Sequence, residues 1–83
     1  MKGFYCVIYD DDKKLFDVFG PVSDDTLFVE SVVKLQQTGL NVRSGTVMAS
    51  DVGSIEDLKR DGDPPGFRYH GGLMQELINA AEH

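Results

Sequence analysis

At 83 residues the chain has room for one hydrophobic core and none for a separate substrate domain, so residues 1–83 are read as a single domain. Hydrophobic residues at 41% and charged residues at 27% are ordinary globular proportions, and no apolar run approaches the roughly 18 residues of a membrane span, which argues against disorder and a spanning helix. Acidic side chains outnumber basic ones 14 to 8, for a net charge of −6 with no basic stripe, and this disfavours direct binding to DNA or RNA, whose affinity rests on phosphate contacts.

The opening Met1-Lys2-Gly3 leads straight into a strand-like run of about six residues, too short for a signal-peptide core, so a cytoplasmic location is expected. Residues 3–9 are rich in aromatic and β-branched types. Phe4, Cys6 and Ile8 share one face and Tyr5, Val7 and Tyr9 the other, the pattern of a central strand covered on both sides. Cys6 is the only cysteine and has no internal partner; between Tyr5 and Val7 it reads as a small buried hydrophobe rather than an activated thiol.

Asp10-Asp11-Asp12-Lys13 supplies turn residues, and a second strand over 14–20 closes a hairpin, with Phe16 and Val18 on one face and Leu15, Asp17 and Phe19 on the other. Ser23 is placed as the N-cap of a helix whose first turn carries Asp24 and Asp25. Phe28, Val32 and Leu35, with Val29 and Val33 beside them, form one broad apolar face, and Gly39 ends the helix in a left-handed conformation. Residues 42–49 read as a third strand, joined by a right-handed crossover if it runs parallel to the second. Ser54 and Asp57 suggest a capped short helix ending at Gly62, and residues 61–66, with two prolines and two glycines, form a loop. A brief strand over 67–70, a turn at Gly71-Gly72 and a helix carrying Leu73, Met74, Leu77, Ile78 and Ala81 complete the order β-β-α-β-α-β-α. The fold class is therefore α/β or α+β, with a mixed three- to four-stranded sheet.

The Asp10-Asp11-Asp12 run is no EF-hand, since its twelfth position is Pro21, and no metal site is assigned there. Walker loop, dinucleotide fingerprint and Cys/His metal spacing are all absent from the sequence, so no cofactor is expected and catalysis has no motif behind it. The run Arg43-Ser44-Gly45-Thr46-Val47 lacks the framing glycine of a nucleophile elbow. Parallel second, third and fourth strands would gather Ser23, Ser50, Asp51, His70, Gly71 and Gly72 on one rim of the sheet, the usual ligand edge of open sheets, and that is the candidate ligand-binding set.

Apolar groups on both faces of the first strand need cover, either from helices divided between the faces or from a partner. In the second case Tyr5, Tyr9 and Phe19 are the interface anchors. The leading expectation is a small acidic protein-interaction module, a homodimer or a binder of another protein. Two alternatives stand beside it: a small-ligand or enzymatic domain using the rim at Asp51 and His70, and an acidic inhibitor of a nucleic-acid enzyme whose carboxylates take phosphate positions.

Overall fold

Large apolar side chains on both faces of one strand demand cover on both sides, and β1 (Phe4–Asp10) accordingly takes an inner position. The computed structural model describes residues 3–51, 54–61 and 66–82. β1 pairs antiparallel with β2 (Leu15–Val22) on one side and with β3 (Val42–Met48) on the other. β4 (Arg68–Tyr69) adds parallel to β2, giving a mixed sheet of order β3-β1-β2-β4. Three helices, α1 (Thr26–Gln37), α2 (Ile55–Asp61) and α3 (Leu73–Ala81), and a 3₁₀ turn over Ala49–Asp51 complete an α+β architecture.

The helices divide between the two faces. On one, Ile8 packs with Val32 and Leu35 of α1, Val42 of β3, and Leu73 and Leu77 of α3. On the other, Tyr5, Val7, Phe16 and Val18 are covered by Ile55 and Leu58 of α2 together with Ala49 and Phe67. Full burial of Ile8 and Phe16 contributes on the order of 2 kcal/mol each.

This division sets the surroundings of Tyr5, Tyr9 and Phe19, the expected interface anchors. Tyr5 is 9% exposed and belongs to the core under α2. Tyr9 is half-buried, edge-on to Phe67 at 5.8 Å with the Arg43 guanidinium 5.2 Å above its ring, and Phe19 is half-buried against Phe28 at 5.9 Å. Cover that a partner would otherwise supply comes from the chain's own helices.

The hairpin turn falls on residues 11–14, held by the buried Asp10 carboxylate, whose Oδ1 accepts the N–H groups of Asp12 at 3.0 Å and Lys13 at 3.2 Å. Ser23 is not the helix cap. β2 runs on past Gly20 to Val22, which pairs with Phe4, so α1 starts at Thr26, and Asp24 Oδ1 accepts both the Thr26 N–H at 2.9 Å and its hydroxyl at 2.6 Å. Those bonds, the hydroxyl's first, hold the Asp24 pKa below the ordinary carboxylate range. Gly39 takes the expected left-handed conformation at φ +94°, and the Ser54 hydroxyl accepts the Asp57 N–H at 3.3 Å as the capping pattern implied. The expected stop at Gly62 and most of the 61–66 loop lie outside the described residues.

Candidate interaction surface

Backbone direction in an antiparallel ladder alternates along the strand, so one bond identifies the side to which every second residue turns. The Asn41 carbonyl accepts the Asp11 N–H at 3.0 Å, and the Ala49 N–H donates to the Gly3 carbonyl at 3.1 Å; both bonds point toward β1. Arg43, Gly45 and Val47 therefore turn their backbone groups inward to Tyr9, Val7 and Tyr5, while Ser44, Thr46 and Met48 turn theirs outward. The same parity carries across the sheet, where the carbonyls of Lys14 and Phe16 accept from Arg68 and His70. β3 is the sheet's outer strand on this side, so these three alternate residues lie along an edge on which no further strand pairs among the described residues.

Natural edges are commonly blunted by proline, lysine, a bulge or a covering element. β3, with the sequence VRSGTVM, carries no proline or lysine, and its pairing with β1 runs without a register shift. Arg43 is its one charged residue, and that guanidinium is held by a two-pronged bond to Asp11 at 2.8 and 2.9 Å, which raises its pKa. Only at its start is the edge covered among the described residues: Gln36 Nε2 of α1 donates to the Val42 carbonyl at 2.9 Å.

That bond also orients α1. Val29, Val33 and Gln36 follow one another at spacings of four and three, and so share one flank of the helix. Because Gln36 reaches Val42, the C-terminal end of this flank meets the start of the β3 edge, while Phe28 at the other end of the helix packs on Phe19 of β2. Both valines on the flank are exposed, Val33 at 41%, and Leu27 at the start of α1 and Met48 at the end of β3 are exposed at 80% and 55%. In the sequence Val29 and Val33 stand beside Phe28, Val32 and Leu35 on one broad apolar face; in the structure Val32 and Leu35 are buried and the two valines are not. An apolar stripe too wide for one contact was the signal available for this flank.

The residues of the expected ligand rim lie in two places. β2 and β3 both oppose β1 and so run the same way, and β4 parallels β2, which is the direction the rim requires. The stagger separates the set. Ser23 follows Val22, and Ser50 and Asp51 follow Met48, both strands ending opposite Phe4. β4 instead meets β2 at Leu15 and Phe16, so His70 lies level with Phe16 and Asp17, about 13 Å along the sheet from the Phe4 end at 3.3 Å per residue.

The His70 group is itself well bonded. His70 Nε2 pairs with Glu76 of α3, and the His70 backbone N–H donates to the Phe16 carbonyl at 2.8 Å. Asp17, 3% exposed, accepts the Gly72 N–H at Oδ2 (3.2 Å) and the Val18 N–H at Oδ1 (2.8 Å), which places a carboxylate at the positive end of α3. Gly72 takes φ +83° as the N-terminal cap, a left-handed conformation glycine adopts without strain. This constellation ties β2, β4 and α3 together.

The hairpin carboxylates have separate partners: Asp10 the turn backbone, Asp11 Arg43, and Asp12 Asn41 at 3.2 Å. Among the described residues no cluster of three His, Cys, Asp or Glu side chains is placed to hold a metal ion, and no helix is long and apolar enough to cross a membrane. A cleft of about 250 Å³ between α1 and α3 is lined by Leu35, Ile78 and Ala81, with Ser31, Lys34 and Glu82 among its polar neighbours; neither His70 nor Asp51 lines it. No family model, curated protein or solved structure matches the chain.

Proposed function

We propose that the chain is a small acidic protein-interaction module whose contact surface is the β3 edge together with the Val29/Val33 flank of α1. The observation that carries this reading is the outward backbone groups at Ser44, Thr46 and Met48 on the outer strand, on the same side of the molecule as the helix that bonds Val42 and exposes Val29 and Val33. Strand addition at such an edge draws affinity from main-chain hydrogen bonds and specificity from neighbouring side chains. The net charge of −6 suits a basic partner and discourages nucleic acid.

Capture of binding proteins by the immobilised chain, compared across three variants, tests the reading. Thr46→Pro removes an outward N–H at a position where an edge strand accepts proline, and Val33→Glu charges the flank. Binding of a specific protein is expected to fall at least tenfold in both variants and to persist in His70→Ala. Retention in the first two with loss in the third contradicts the reading and moves attention to the β4–α3 junction.

A further inference from the structure

We infer that the strand received by the β3 edge is β3 of a second copy of the chain, paired antiparallel about a two-fold axis at Thr46, so that two four-stranded sheets become one of eight. The inference rests on the reading of this edge as the contact surface, and adds the partner and the register.

Register follows from which backbone groups are open. With Thr46 on the axis, Thr46 opposes Thr46 of the second copy and Ser44 opposes its Met48, so all three outward residues pair and exchange about six hydrogen bonds. Val42 then needs no partner from the second copy, in agreement with its carbonyl already being bonded to Gln36. Shifting the axis to Gly45 sets Val42 against Met48 of the other copy and makes that occupied carbonyl compete for a second donor. Among the self-pairings that leave the observed Gln36 bond intact, the Thr46 register is the one that pairs all three outward residues with one another.

Side chains agree with this arrangement. On the α1/α3 face a Thr–Thr pair forms at the axis, and the exposed Met48 meets Ser44. On the opposite face Gly45 meets Val47, and Arg43, the only charge on β3, meets Ala49, so no like charges oppose one another. The α1 flank decides between a second copy and an unrelated strand. A lone foreign strand satisfies the backbone but leaves Val29 and Val33 uncovered, whereas a two-fold copy brings the same flank against them. Glu30 and Lys34 lie beside the two valines in one shallow depression, and antiparallel helices set the acidic end of each copy toward the basic end of the other. A chain of this length buries a smaller fraction of its unfolded surface than a larger domain does, which raises the worth of such an interface.

Light scattering over a concentration series tests the inference with wild type, Thr46→Pro and Val33→Glu, each checked for helix and strand content by circular dichroism. Wild type is expected at twice the 9.2 kDa chain mass and both variants at the single-chain mass with unchanged secondary structure. If Thr46→Pro fails to fold, Val33→Glu on the exposed helix flank decides alone. Wild type at the single-chain mass throughout overturns the second copy as occupant; the edge then remains open to a different protein, and the capture comparison judges that reading separately. A dimer that persists in both variants overturns the register and the choice of surface together.

Discussion

A buried carboxylate persists where donors surround it, and Asp17 has two backbone donors, one from its own strand and one from the cap of α3. Asp17→Ala leaves the Gly72 N–H without that acceptor and is expected to cost about 2 kcal/mol in urea unfolding, the range for a lost hydrogen bond to a charged group. A loss below about 0.5 kcal/mol would show that α3 docks without this anchor. Cys6, by contrast, is an inert core residue at 1% exposure, its pKa raised by burial and secondarily by Asp25. Its role was legible in the sequence because its apolar neighbours were adjacent in the chain. Asp17 was legible only as a polar residue on an apolar face, since its partner lies 55 residues away.

Elements whose signals are local stand where the sequence placed them. The hairpin, the helix ending at Gly39 and the C-terminal helix each rest on periodicity and on glycine or aspartate at the turns. The start of α1 was misplaced because Ser23 is a good cap in isolation, whereas pairing of Val22 with Phe4 keeps the chain extended past it. Within α1 the apolar stripe held two populations that spacing alone could not separate: Val32, nearly inaccessible in the core, and Val29 and Val33 on the open flank. Val32→Ala is expected to cost about 2 kcal/mol. The Val29→Ser/Val33→Ser pair, measured by urea unfolding where the chain is monomeric, is expected to change stability by less than about 1 kcal/mol. Comparable losses for the two would place the flank in the core.

At the scale of the molecule, the sequence called for cover on both faces of β1 and left open where it came from. Helices on both sides supply it, so the unspent contact capacity moves from the sheet's faces to its edge. Neither the strand order nor the stagger of β4 was readable from periodicity. Both depend on pairing between segments distant in the chain, and together they separate His70 from Asp51 and set β3 at the edge.

Residue-resolved amide exchange along β3 reads the edge one backbone group at a time. Arg43, Gly45 and Val47 are expected to be protected at all concentrations by their bonds to β1. Ser44, Thr46 and Met48 should exchange freely in dilute solution and gain protection as concentration rises. Uniform protection along the strand, or slow exchange of the even-numbered amides that is independent of concentration, would contradict the open edge and with it the assigned contact surface.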